Sequence, residues 1–181
     1  MANEVNPIKS KRDFNKLKNA LKPGRDRLLL QLGTAFGLRI SDLLSLKIGD
    51  LRGQTSLKIT EAKRSKTRVI TFSAAVKKLV NELEGADEDY VFASRKGAKP
   101  ISRVQAYRIL NEAAERADIA KKIGNIGTHT LRKTFGYRLY EMDIAVDRIM
   151  AILGHSSEKD TLKYIGITAD EISVAYESIT I

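Results

Sequence analysis

The sequence contains no cysteine in its 181 residues. That excludes disulfides, cysteine-based zinc sites and a thiol nucleophile, and it fits a reducing compartment. There is no apolar run long enough to suggest a membrane span. The opening, Met1 to Pro7, lacks the basic-then-apolar pattern of a secretory signal, so a cytoplasmic protein is expected. No paired carboxylates stand at metal-ligand spacing, which argues against a metal-dependent nuclease. Histidine occurs only twice. Acidic residues are in short supply: 22 Asp and Glu face 32 Lys and Arg, for a net charge of +10 and a pI near 9.8. A chain this basic points to a polyanionic partner, nucleic acid first, with charge for solubility as the bland alternative.

What is present supports a real core, with 43% hydrophobic residues. Ser10 is placed to cap a helix through Phe14, Leu17 and Leu21, which Pro23-Gly24 breaks. A second helix runs from Arg25 to Phe36 and is ended by Gly37. A short third spans Ser41 to Leu46. The period then changes. Ser56 to Thr60 and Thr67 to Phe72 alternate and are β-branched, so they read as two strands joined by the basic hairpin Lys63-Arg64-Ser65-Lys66. A short strand near Ile48 to Leu51 is expected to complete the sheet, and Tyr90 to Phe92 reads as a short extended piece.

Helices then dominate. Ser73 caps one to about Glu84, and Ser102 to Gln105 is a capping box opening one to Arg116. Thr128 is placed to cap the helix carrying His129 and Arg132. Another fits Val146 to Leu153, stopped by Gly154. Ser157 and Asp160 bracket the turn that leads to Tyr164, and Thr168 to Glu171 is a capping box for a last helix. No repeat or low-complexity linker appears. The fold class is α+β, mainly α: a helical bundle with a small antiparallel β-sheet inserted early. A flexible lead is expected over residues 1–10 and a single domain over 11–181.

Three stretches carry chemistry: Gly37-Leu38-Arg39-Ile40-Ser41-Asp42-Leu43, Thr128-His129-Thr130-Leu131-Arg132, and Leu153-Gly154-His155 running on to Tyr164. The spacing of His129 and Arg132 puts both on one helical face. Alone, each piece is ordinary: a surface pair, a helix end with a histidine near its dipole, a packed tyrosine. Together, two arginines, two histidines and a tyrosine suit attack on a phosphodiester. Arginine binds phosphate oxygens in a bidentate way, histidine moves protons near neutral pH, and a phenolic oxygen can be the nucleophile.

In this order, with a lysine-bearing hairpin between the first arginine and His129, the motifs resemble the tyrosine recombinase (phage integrase) family in its catalytic domain. The resemblance runs from about residue 25 to Tyr164. It implies double-stranded DNA as partner and site-specific recombination (integration, excision or inversion) as function. Arg39 and Arg132 would clamp the scissile phosphate. Tyr164 would attack phosphorus and form a 3′-phosphotyrosine link, freeing a 5′-hydroxyl, with no metal, ATP or other cofactor. Lys66 would protonate the leaving oxygen, with Lys63 as its rival. His129 would act as general base or position the tyrosine, and His155 would donate to the phosphate. Asp42 would support the site or simply favour a helix start.

Lys63 and Arg64 of the hairpin would contact DNA, and Arg103, Arg108 and Lys133 are candidates for reading bases. The last helix, through Ile172, Ala175, Tyr176 and Ile179, would pack on its own core or dock onto a neighbouring protomer. The resemblance implies a homo-oligomer on DNA, a tetramer, assembled from protomers that include a monomer form in solution, with accessory DNA-bending proteins as further partners. Members of the family usually carry a core-binding domain before this one. The opening Asn6 to Ser10 leading into a helix favours a naturally short start over a fragment. A non-catalytic DNA-binding relic or regulator, and a type IB topoisomerase-like relaxing enzyme, are the alternatives.

Overall fold

A computed structural model describes residues 5–61, 66–96, 98–127, 129–168, 171 and 177, with Glu61 and Lys66 described by backbone alone. Helices open where the sequence supplies a side-chain acceptor. Ser10 Oγ accepts from Asp13 N at α1 (Lys11–Ala20), Ser73 Oγ from Val76 N at α4 (Ala74–Asn81), Ser102 Oγ from Gln105 N at α5 (Arg103–Arg116), and Ser157 Oγ from Asp160 N at α9 (Glu158–Ile165). Each bond satisfies an amide that the first turn leaves without a helical partner. The other helices are α2 (Arg25–Phe36), α3 (Ile40–Leu44), α6 (Ala120–Ile123), α7 (Thr130–Glu141) and α8 (Val146–Leu153). None of the described helices is long and apolar enough to cross a membrane.

Strands β1 (Ser56–Glu61) and β2 (Lys66–Thr71) form an antiparallel pair, with Ile59 opposite Arg68 and Glu61 opposite Lys66. The expected strand at Ile48 to Leu51 is absent; the segment is a 3₁₀ turn over Ile48–Asp50. Its donors are committed elsewhere. Ile48 N donates to Asp89 O and Gly49 N to Asp87 O, while Asp50 Oδ2 accepts from Lys47 N. In Tyr90 to Phe92 only Tyr90 is bridged, to Lys47, and Val91 and Phe92 form a turn before the Ala93–Pro100 bridge. The third helix starts a residue earlier and stops two sooner than expected, and α4 ends at Asn81 rather than Glu84. Helix α6 was not foreseen. Thr128 lies outside the described residues, and His129 itself occupies the N-cap of α7.

Helix α2 is the centre of the main core: Leu29, Leu30, Leu32 and Phe36 are essentially inaccessible. It packs against α1, α3, α4, α5 and α7. A smaller second cluster joins Ile149, Leu153 and Ile165 with Phe135, Leu162 and Tyr164. Helix α7 touches both, packing on α2, α8 and α9. The end of the expected flexible lead is anchored: Ile8 is buried and its N–H donates to Thr134 Oγ1 at 2.8 Å. At the other end, Thr168 and Glu171 make the two reciprocal bonds of a capping box; most of the expected last helix, including Ile172, Ala175, Tyr176 and Ile179, lies outside the described residues.

Helices α2 and α8 end in the same way. Both stop on a glycine in the left-handed region, Gly37 at φ 58° and Gly154 at φ 66°. An alanine at Gly37 would hold a strained backbone and drive its Cβ into the Phe135 ring. Gly37→Ala is expected to destabilise the fold by about 2–5 kcal/mol, measured as a lowered denaturation midpoint.

Candidate active site

Arg132, the third residue of α7, is 3% exposed. Its guanidinium donates to Gly37 O at 2.7 Å and to Leu153 O at 2.9 Å. Arg68, from β2, donates to Phe36 O at 2.6 Å and Ile152 O at 3.0 Å. Two guanidinium groups thus lie across the same two helix ends, each spanning one carbonyl of α2's end and one of α8. These carbonyls carry the negative end of the helix dipoles, which offsets two cations held close together. Arg39, half-buried at the N-cap of α3, completes the cluster two residues beyond Gly37.

The crowding has an electrostatic consequence. Burial, then Arg132 and Arg39, push the Arg68 guanidinium down to about 10, while Asp42 pulls the other way. Asp42 is 5% exposed, and its Oδ2 has no hydrogen-bond partner. A buried carboxylate in range of Arg68 balances part of a strongly positive pocket. It is buried in the first turn of α3, a place that suits a supporting acid and an acid favoured by the helix dipole alike.

Tyr164 comes from the last turn of α9, and is half-buried. Its Oη lies 3.2 Å from His129 Nδ1. In the tautomer protonated at Nε2, the phenol donates to that nitrogen. The His155 ring meets the Tyr164 ring edge-on, with centroids 4.7 Å apart and planes at 80°. Lys133 Nζ stands 5.1 Å from the Tyr164 ring centroid, a cation–π distance. Burial raises the phenol above the ordinary tyrosine value; the charges of Arg132 and Arg39 and a hydrogen bond from Arg132 oppose that rise. The phenol thus stays protonated until a base takes its proton, while the cations around it favour the anion once formed.

His155 is oriented by Thr161, whose Oγ1 is 3.1 Å from Nδ1. The single hydroxyl proton of Thr161 goes to Ser157 O at 2.8 Å. The Thr161 oxygen therefore accepts, so Nδ1 carries the proton and Nε2 the lone pair in the neutral ring.

The structure brings together Arg39, His129, Arg132, His155 and Tyr164 from four separate segments, His129 and Arg132 sharing the start of α7. Lys66 opens β2; Lys63 and Arg64 lie outside the described residues. Lys133, a candidate for reading bases, is 7% exposed and packed under Tyr164. Arg103 and Arg108 are exposed on α5, and Arg108 shares a hollow of about 540 Å³ with Lys22, Arg25, Arg95 and Arg116. Among the described residues no group of three His, Asp or Glu is placed to hold a metal ion. Two residues bonded to the candidate site's frame escaped the sequence reading, Arg68 and Thr161. Arg68 had a signal: it falls in register with Ile70 and Phe72 on the inward face of β2, where an arginine calls for a partner. Thr161 had none that distinguishes it from any helical threonine.

Comparison with known proteins gives a consistent result. The profile of the group described as Phage integrase family matches residues 10–171. Probable integrase/recombinase YoeC of Bacillus subtilis is 40% identical over 177 residues, covering 96% of each chain. Tyrosine recombinase XerD of Corynebacterium glutamicum is 32% identical over 82% of this chain and 50% of its own length. The chain thus spans about half of that longer relative. In a lambda integrase tetramer bound to a Holliday junction, the fold recurs with a TM-score of 0.70 and 22% identity, covering 96% of this chain and 53% of that one.

Proposed function

Because the chain belongs to the phage integrase family and is a tyrosine-type site-specific recombinase, we propose that it cuts and rejoins DNA strands through Tyr164. The observation that carries this reading is the Tyr164 hydroxyl, 3.2 Å from His129 and hydrogen-bonded by Arg132. His129 takes the phenolic proton as the oxygen attacks phosphorus. The O–P bond forms, the bond to the 5′-oxygen breaks, and a lysine of the hairpin, Lys66 or Lys63, protonates that leaving oxygen. The phosphodiester is conserved as a 3′-phosphotyrosine, so rejoining draws on no ATP.

Arg39 and Arg132 bind the non-bridging oxygens. Arg132 is held by carbonyls on two helices, so its position is set before DNA arrives, and pre-set charge is what stabilises a transition state best. His155 meets a phosphate oxygen through Nε2 once the ring takes a second proton, which the phosphate's negative charge favours. Lys133 acts within the site, holding the nucleophile's ring and offsetting phenolate charge, rather than reading bases. DNA affinity comes from the net charge of +10, with Lys63, Arg64, Arg103 and Arg108 as phosphate or base contacts, and falls with salt.

The protein works on double-stranded DNA in the cytoplasm and assembles there as a homo-oligomer, as in the lambda integrase tetramer; accessory DNA-bending proteins assist. Residues 11–181 act as its catalytic domain. A suicide substrate, whose cleaved flank diffuses away, should trap a covalent protein–DNA adduct in the presence of a metal chelator and without ATP. Digestion and mass spectrometry should place the nucleotide on the peptide carrying Tyr164. An adduct on any other residue rejects the assignment, and plasmid relaxation without strand exchange would favour the topoisomerase-like alternative.

A further inference from the structure

We propose that Arg68 is a positioning residue for strand cleavage: it locks β2, and with it the lysine-bearing hairpin, to the two helix ends that hold Arg132. The two arginines bond to neighbouring carbonyls at each end, Phe36 and Gly37 on one side and Ile152 and Leu153 on the other. Any slip of β2 along this frame breaks the Arg68 bonds before it disturbs Arg132. The hairpin needs such an anchor, because the described sheet has two strands only, and a lone two-stranded ribbon is marginally stable in water. Its outer face is also bare: Val69 is 64% exposed.

The choice of residue adds weight. An apolar side chain at 68 would seat the inward face of β2, in line with Ile70 and Phe72, without adding charge to a crowded pocket. A guanidinium here is costly: burial first, then the charges of Arg132 and Arg39, disfavour its cationic form. What it offers instead is direction, since a planar fork with two fixed acceptors sets orientation as well as distance. The distance that matters is from the hairpin lysine to the leaving 5′-oxygen. The inference therefore rests on the reading that a hairpin lysine protonates that oxygen.

The test compares single-turnover cleavage of two suicide substrates by the full chain, one natural and one with sulfur at the scissile 5′-bridging position. When the P–S bond breaks, the thiolate leaves without needing a proton. Arg68→Gln should slow the natural substrate by about 100-fold, the cost of misplacing a catalytic group by an ångström, and leave the sulfur substrate near the wild-type rate. Arg68→Lys, which keeps the charge and reaches one carbonyl, should fall between on the natural substrate and match wild type on sulfur; it also serves if Arg68→Gln does not fold. Equal losses on both substrates, or no loss on either, would overturn the proposal. Lys63→Ala and Lys66→Ala are run alongside. If sulfur rescues neither, the general-acid reading fails and takes this inference with it; if it rescues a lysine variant but not Arg68→Gln, only the positioning role fails.

Discussion

Replacing Tyr164 with phenylalanine should abolish covalent adduct formation while leaving the fold and DNA affinity intact. The substitution removes one oxygen and keeps the ring. The edge contact with His155, the Lys133 ammonium over the ring face and the packing in the smaller apolar cluster all survive. What is lost is the hydroxyl's contact with His129 and its hydrogen bond with Arg132, worth about 0.5–1.5 kcal/mol of net stability. The chemical loss is far larger, because among the described residues no other tyrosine lies against both His129 and His155. Removing the nucleophile of a covalent enzyme costs on the order of 10⁶-fold, below detection in a gel assay. Mobility-shift binding and a thermal melt on the same preparation separate chemistry from folding. A persistent adduct would remove Tyr164 from the mechanism.

The second large effect is expected at Arg132, and here activity and stability fall together. Arg132→Ala leaves the carbonyls of Gly37 and Leu153 buried without a donor. Each costs about 1–3 kcal/mol, and at roughly 2–4 °C per kcal/mol for a domain of this size the melting temperature should drop by roughly 4–24 °C. Cleavage should fall by about 10³-fold or more through the lost phosphate donor. Arg132→Lys is the sharper variant. It keeps a cation yet reaches only one of the two carbonyls, so it should recover part of the stability and little of the rate. Full cleavage activity in Arg132→Lys would mean that charge alone suffices and that the fork geometry is irrelevant.

Local signals in the chain predicted local structure well. Ser10, Ser73, Ser102 and Ser157 each sit where a first turn needs an acceptor, and each caps its helix. Gly37 and Gly154 mark two ends because only a glycine takes the left-handed conformation at little cost. The order of Arg39, His129, Arg132, His155 and Tyr164 was legible because they fall in three short stretches, two of which carry a pair each. What failed needed tertiary information. The 3₁₀ turn at Ile48 forms because the 87–89 loop supplies acceptors that a local reading cannot see. Lys133 looked like a groove-facing base because a helix buried on most sides gives no polar face to read. On α7, Thr130 through Thr134 are all buried, enclosed by α2, α8 and α9. Arg68 was visible as a charge on an inward strand face, but its acceptors lie 32 and 84 residues away in sequence.

The two apolar clusters give the site a mechanical property. Arg39 and the strands belong with the larger body, whereas Tyr164 rides with Ile149, Leu153 and Ile165 on the smaller one. Only a few fully buried side chains weld that smaller piece, so it loosens at a lower free energy than the whole molecule unfolds. Arg132 and Arg68 stitch across the seam at its carbonyl edges. Pressure applied to α9 from outside can therefore tilt the attacking oxygen toward or away from the phosphate while Arg39, on the larger body, stays still.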